Sequence, residues 1–241
     1  MVDKKSPLPM YYQIEEDLKQ RITNQEFKTS DMIPSERELS ETFEVSRMTV
    51  RQAITNLVNE GVLYRVKGKG TFVAEEKIEQ PLQGLTSFTE DMKTRGMEAS
   101  SKLLTFEKMS APLDITRKLQ LNEGDEVYKI QRVRFADQKP MAVETNFLSA
   151  AMFPELDEQT VLGSLYNYIE KTQKQPIGKA HQMIEATIAD ENQAELLDIP
   201  VDSAILSIER HSTLADGTPF EVVRSSYRAD RYKFISDIYR T

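Results

Sequence analysis

The chain has 241 residues, with 31 Lys and Arg against 39 Asp and Glu for a net charge of −8, and no cysteine. That length suffices for two domains of ordinary size, and the missing cysteines exclude disulfides, thiolate metal sites and thiol nucleophiles together. No apolar run approaches the roughly eighteen residues of a membrane span, and the opening MVDKKSPLPM has no signal-peptide apolar stretch, so a cytoplasmic protein is expected.

In chain order, the first strongly marked element begins at Ser35, which follows Pro34 and can cap a helix while Glu38 reaches back to it. Leu39 and Phe43 share the buried face of that helix, and a corner at Glu44 and Val45 leads to Ser46, a second N-cap. The next helix runs from Arg47 to about Glu60. Its apolar positions Val50, Ile54 and Leu57 fall at i, i+4 and i+7, which leaves Arg47, Met48, Thr49, Arg51 and Gln52 facing outward. Gly61 ends it, and residues 62–66 and 71–73 read as short strands around Lys67-Gly68-Lys69-Gly70. Two helices at a corner with a basic-tipped hairpin outline a winged helix-turn-helix that reads double-stranded DNA. Side chains at the start of the second helix reach base edges, and the glycines of the wing let backbone approach phosphate or enter the minor groove. The competing reading is a helical hairpin on a β-turn with solvated charges. The wing is no nucleotide-binding P-loop, because six residues separate Gly61 from Gly68 and Lys69 is followed by Gly70. Although the whole chain is acidic, residues 45–74 carry Arg47, Arg51, Arg65, Lys67 and Lys69 against Glu60 alone, a local patch suited to a phosphate backbone.

These segments resemble the GntR family of transcriptional regulators. The likeness is carried by a helix from Tyr11 to about Ile22, the entry Pro34-Ser35-Glu36-Arg37-Glu38-Leu39, the corner Val45-Ser46-Arg47-Met48-Thr49-Val50-Arg51 and the wing Gly68-Lys69-Gly70-Thr71-Phe72-Val73. The resemblance implies that Arg37 and Arg47 approach bases in the major groove and that Gly68 enters the minor groove. It adds Arg51, Lys67 and Lys69 as phosphate contacts, with Thr49 and Gln52 on the same surface. It also implies a homodimer whose two-fold axis matches a pseudo-palindromic operator.

A charged stretch over 75–81, short of large apolar residues, divides residues 1–74 from 82–241 as a linker, and Pro81 disfavours helix at Gln80. Beyond it, Thr86 or Ser87 caps a helix to about Arg95, closed by Gly96. Strands are expected over 102–108, 126–135 and 139–148, then a helix over 161–171. Strands over 180–189 and 204–214 flank a short helix near 191–197, and a last strand over 219–227 follows the turn Ala215-Asp216-Gly217. Hairpin-joined strands with helices on them give an antiparallel sheet and an α+β fold.

Arg132 and Arg134 stand two apart on one strand and so point to one face, and the helix start near Ser87 offers N–H groups to an anion, which makes a phosphate the natural guest. The alternative is ion pairing with strand neighbours such as Glu144 or Glu221. Four segments resemble the effector-binding domain of the HutC subfamily of GntR regulators, whose fold is similar to chorismate lyase. They are the run from Leu82 to Met92, Ile130-Gln131-Arg132-Val133-Arg134, Pro140-Met141-Ala142-Val143-Glu144 and Tyr227-Arg228-Ala229-Asp230-Arg231-Tyr232, within about residues 82–239. Within that subfamily they are most similar to regulators of N-acetylglucosamine utilisation in Gram-positive bacteria. The resemblance implies glucosamine-6-phosphate or N-acetylglucosamine-6-phosphate as effector. It places Ser87, Phe88, Thr89, Arg132, Arg134, Ser164 and Tyr166 around the phosphate, and Glu144, Glu221 and Tyr227 against the sugar. Another phosphosugar or a carboxylate metabolite stays open as effector, and catalysis is the rival class on such a fold. Against an enzyme, the chain offers only His181 and His211, in no metal-ligand spacing, and no nucleophile elbow or dinucleotide glycine pattern. A ligand-released repressor without cofactor or metal is the expectation.

Overall fold

The computed structural model describes residues 3, 6–75 and 77–240, in two compact units that divide between Lys77 and Ile78. Glu76, part of the expected linker, lies outside the described residues. The first unit comprises α1 (Met10–Thr23), α2 (Glu36–Phe43), α3 (Arg47–Asn59), β1 (Leu63–Val66) and β2 (Gly70–Val73). Local chemistry sets its bounds. The Ser35 hydroxyl accepts from the Glu38 N–H at 3.3 Å while the Glu38 carboxylate accepts from the Ser35 N–H at 2.8 Å, which satisfies two otherwise orphaned donors. The α2 helix ends where Glu44 enters the left-handed region at φ 52°, and Ser46 caps α3. Leu39, Phe43, Val50, Ile54 and Leu57 then meet Ile14 and Leu18 of α1 and Leu63 and Val73 of the hairpin in one core. The hairpin is antiparallel, with Leu63 opposite Val73 and Val66 opposite Gly70.

The second unit begins with β3 (Ile78–Pro81), α4 (Phe88–Thr94), β4 (Ala99–Ser110), α5 (Leu113–Leu119), β5 (Glu126–Ala136) and β6 (Lys139–Ser149). It continues with α6 (Glu158–Leu162), α7 (Leu165–Asn167), a π-helical turn (Tyr168–Thr172), β7 (Ile177–Ile188), α8 (Glu191–Leu197), β8 (Ala204–Leu214), β9 (Pro219–Arg228) and β10 (Tyr232–Ile235). Six strands form one antiparallel sheet in the order β4-β5-β6-β9-β8-β7. On one face, Ile115 and Leu119 of α5 pack on Val127, Phe147 and Val222, and Ala194 and Leu197 of α8 pack on Val133, Val143 and Ile205. The opposite face presents Tyr128, Ile130, Leu148 and Phe220 to Val161, Leu165, Tyr166 and Ile169. Alternation along each strand thus buries both faces.

Two expectations are corrected. Residues 78–81, assigned to the linker, form β3, which pairs in parallel with β10, Ile78 opposite Tyr232 and Pro81 opposite Ile235. The partner strand lies about 150 residues away along the chain, so nothing local marks the pairing, and Pro81 is tolerated because it stands at the strand's end. The single helix expected over 161–171 is broken. Gly163 departs from helical geometry after α6, Ser164 caps α7 anew, and α7 runs into the π-helical turn. The short helix α5 was not expected at all.

On the α5 face, Glu209 accepts from Lys118 at 2.7 Å, Arg224 at 2.8 Å and His211 at 2.9 Å. Burial pushes its carboxyl up, but these donors outweigh burial and hold it at about 2, below its ordinary 4.5. A depressed carboxylate adds stability that is complete above the unfolded value and is lost as pH falls from about 4.5 toward 2. Glu209→Gln is therefore expected to be less stable than the parent near neutrality, with the deficit shrinking over that acid window. Denaturant titrations at stepped pH measure it, and a deficit independent of pH refutes it.

Candidate functional site

The first unit gathers one polar face. Its inner positions Val50, Ala53, Ile54 and Leu57 are buried, so the start of α3 turns Arg47, Met48, Arg51 and Gln52 to solvent, with Met48 67% exposed. Arg37 is exposed and pairs with Glu41 at 3.1 Å, a contact that solvent leaves weak. Arg51 is engaged more firmly, donating to Glu36 from Nε and Nη2 at 3.0 and 2.8 Å. Thr49 does not stand free, because its hydroxyl bonds the capping Ser46 hydroxyl at 2.8 Å. At the wing tip Lys67, Gly68 and Lys69 are all exposed. Gly68 has φ +75° and open space where a Cβ would stand, so its requirement is conformational rather than internal packing. Gly68→Val is accordingly expected to strain the tip and put a branched side chain on its outer surface, so that DNA binding falls while ligand affinity of the second unit persists. Unchanged operator affinity of that variant in a fluorescence titration contradicts a wing that enters the groove.

In the second unit, Ser87, Phe88, Thr89, Arg132, Arg134, Glu144, Ser164, Tyr166, Glu221 and Tyr227 all line a single cavity. Each comes from an element end or from the inner sheet face. Cross-strand register sets Arg132 opposite Glu144, and Glu144 opposite Ser225 on the next strand. Arg132 is 1% exposed and donates to the Glu144 carboxylate and the Val161 carbonyl, with longer bonds to Asn146 at 3.3 Å and the Gly163 carbonyl at 3.4 Å. Arg134 donates to Glu144 at 3.1 Å and to the Thr89 hydroxyl at 3.0 Å, and its guanidinium lies 4.8 Å above the Phe88 ring. The ion pairing posed as the alternative to a phosphate site is thus present, and both arginines share the one carboxylate. Burial pushes the Glu144 carboxyl up, yet the Arg132 and Arg134 charges outweigh it and hold the group below its ordinary value. Arg132 Nε, Arg134 Nε and the Tyr232 hydroxyl, all of cavity-lining residues, are buried without a hydrogen-bond partner among the described residues.

Glu221 sits differently. It accepts from Asn146 at 2.8 Å and from the Tyr166 and Ser212 hydroxyls at 3.2 Å each, and burial pushes its carboxyl up. Burial likewise pushes the Tyr227 phenol up to about 12, with the Glu144 charge adding to it, so Tyr227 is a neutral donor. Ser87 is tied as a cap, its hydroxyl bonded to Glu90 at 2.8 Å, and Ser164 donates to it at 3.4 Å.

Asn146, Arg210, Ser225 and Tyr232 also line the cavity and were missed. Arg210 is held by Gln182 at 2.9 Å and by the Thr86 carbonyl at 3.5 Å. A sequence signal for it existed, since Ile208, Arg210 and Ser212 alternate on one face of β8 just as Ile130, Arg132 and Arg134 do on β5. The chamber is small, about 60 Å³, and it shares Gln80, Thr86, Arg210 and Phe234 with an adjoining cavity of about 290 Å³.

Comparison with known proteins adds two domain matches. Residues 10–73 match the bacterial regulatory proteins of the gntR family, and residues 94–233 match the UTRA domain. The chain is 45% identical to the HTH-type transcriptional repressor NagR of Bacillus subtilis, over 97% of this chain and 96% of that protein. It is 36% identical to the mannosyl-D-glycerate transport/metabolism system repressor MngR of Escherichia coli, over 94% of each. Among solved structures, PhnF from Mycobacterium smegmatis superposes with a TM-score of 0.68 at 29% identity, covering 95% of this chain and all of that one.

Proposed function

We propose that this chain, which belongs to the GntR family of bacterial regulatory proteins and carries its UTRA domain, is a repressor of amino-sugar utilisation genes that glucosamine-6-phosphate or N-acetylglucosamine-6-phosphate releases from its operator. It is a DNA-binding transcription regulator with a small-molecule effector domain. It acts in the cytoplasm as a homodimer, two heads meeting the two halves of a pseudo-palindromic site. Among the described residues, no helix is long and apolar enough to cross a membrane.

The observation that carries the effector reading is the convergence of Arg132, Arg134 and Arg210 with Ser87, Thr89 and Ser164 on one cavity that also holds Glu144 and Glu221. Guanidinium and hydroxyl donors suit a phosphate, while two buried carboxylates suit the hydroxyl and amine groups of a sugar. Binding sites for small molecules usually enclose about 300–1,000 Å³, so the ligand is expected to extend into the adjoining cavity that shares Gln80, Thr86, Arg210 and Phe234. Calorimetry tests the reading. Both amino-sugar phosphates are expected to bind and to be recovered unchanged, their unphosphorylated forms far more weakly. Equal affinity for unphosphorylated N-acetylglucosamine rejects the phosphate, and tight binding of a carboxylate metabolite instead rejects the ligand class.

On the DNA side, Arg47→Ala is expected to weaken operator binding by about 1–3 kcal/mol and relax preference at one base pair. Lys69→Ala should lower affinity for all sequences and flatten the salt dependence. Titrations of matched and mismatched duplexes at several salt concentrations separate the two, and an Arg47→Ala protein with unaltered base preference removes Arg47 from base reading.

A further inference from the structure

Behind the DNA-facing surface of α3 runs a three-residue hydrogen-bond chain that ends on a buried charge. Gln52 Nε2 donates to Asn56 Oδ1 at 2.8 Å, and Asn56 Nδ2 donates to Glu15 Oε1 of α1 at 2.6 Å. Glu15 is 4% exposed, whereas Gln52 is exposed on the side of α3 opposite the buried Val50, Ala53, Ile54 and Leu57.

The chain has a direction, and the carboxylate sets it. A carboxylate accepts hydrogen bonds and does not donate, so the Asn56 amide must turn its nitrogen toward Glu15. Its oxygen then faces Gln52, which must turn its own nitrogen inward. Either amide alone flips at little cost, but here a flip leaves two acceptors or two donors facing each other. The Gln52 carbonyl oxygen is therefore presented outward as a fixed acceptor, beside the second N–H of the same amide.

We infer that Glu15 and Asn56 are positioning residues that fix the sense of the Gln52 amide, making Gln52 a reader of adenine that rejects guanine. In the major groove adenine offers a donor at N6 next to an acceptor at N7, the complement of a carbonyl oxygen beside an N–H. Guanine offers two acceptors, O6 and N7. A freely turning glutamine can meet guanine with its amide nitrogen, whereas a glutamine held by this relay sets oxygen against oxygen. The inference rests on the reading that α3 lies in the major groove of an operator, and it assigns the discrimination to residues that touch no base.

Binding-site selection from randomised duplexes with the full-length protein tests it, run in parallel with Gln52→Ala and Glu15→Gln. Glu15→Gln keeps shape and burial but supplies both a donor and an acceptor, which frees the relay to run either way. The parent is expected to enrich adenine over guanine at one position per half-site, by roughly five- to a hundredfold, the range for one good bidentate contact. Gln52→Ala should lose that preference. Glu15→Gln should bind the parent operator within a few-fold yet accept guanine at the same position, a change that a merely structural role for Glu15 does not produce. The inference is overturned by guanine enrichment in the parent, by an unaltered Gln52→Ala profile, or by a Glu15→Gln protein that keeps the adenine preference. A parent protein that enriches no sequence overturns operator binding itself, and the relay with it.

Discussion

Arg134→Ala is expected to give a protein that holds its operator as tightly as the parent and no longer lets go at the amino-sugar phosphate concentrations that release the parent. The reason lies in how the two cavity arginines differ. Arg134 lines the cavity at the start of α4, donating to Glu144 and to the Thr89 hydroxyl and lying over Phe88, whereas Arg132 is also bound to the Val161 and Gly163 carbonyls. Its removal still leaves Glu144 bonded to Arg132, so no buried carboxylate is stranded and the unit stays folded. A phosphate loses at least one charge-assisted bond, about 1.5–3 kcal/mol, which is a tenfold or larger loss of ligand affinity. Because linkage is reciprocal, the ligand concentration needed for release rises by the same factor. Arg134→Lys keeps the charge but loses the planar fork, and falls between the two. A mobility-shift titration decides, since release by Arg134→Ala at parental ligand concentrations removes the phosphate from this end of the cavity.

What the residues disclosed beforehand and what they hid follow from the range of the interactions involved. Capping boxes at Ser35 and Ser87, the turn at Glu44 and the periodicity of Val50, Ile54 and Leu57 act within a few residues, and each stands where its chemistry put it. The two-residue spacing of Arg132 and Arg134 fixed a shared face, because alternation in a strand is geometric. Long-range facts were not legible. The parallel pair of β3 with β10 joins the two ends of the second unit with four residues each, and at the break by Gly163 Arg132 reaches the carbonyls on either side of Leu162. Arg210 carried the same alternation signal as Arg132 and Arg134, but a lone arginine among polar strand residues reads as solvated until its neighbours Gln182 and Thr86 are known. The spacing of the two arginines also left phosphate binding and ion pairing as alternatives. They are not exclusive, since a shared carboxylate holds both guanidinium groups in place and leaves donors directed elsewhere.

Arg132→Ala, in contrast to its neighbour two residues on, is expected to cost the second unit its stability before it costs any ligand. Arg132 is almost wholly buried, and its guanidinium satisfies Glu144, Asn146 and the carbonyls of Val161 and Gly163 together. Truncation leaves Asn146 and the two carbonyls without that donor, while Glu144 keeps only the Arg134 bond. Each buried acceptor so stranded costs about 1–3 kcal/mol, and with two of the three bonds long the sum is about 3–5 kcal/mol. For a unit of this size each kcal/mol moves the melting point by about 2–4 °C, so a fall of roughly 6–20 °C is expected. The pH dependence identifies the cause. The Glu144 carboxyl is held below its ordinary value by the two arginines, so its pairing adds stability that is present above the unfolded carboxylate value and lost as pH falls through the folded one. The parent should therefore lose more stability on acidification than Arg132→Ala does, and the gap between them should narrow at low pH. Adding Glu144→Gln to Arg132→Ala takes away the one carboxylate that Arg134 still holds, so the double variant should be less stable than the single one. Calorimetric melting of all three proteins across pH measures this. If Arg132→Ala melts with the parent, or if the double variant is as stable as the single one, the arginines do not act through the buried carboxylate.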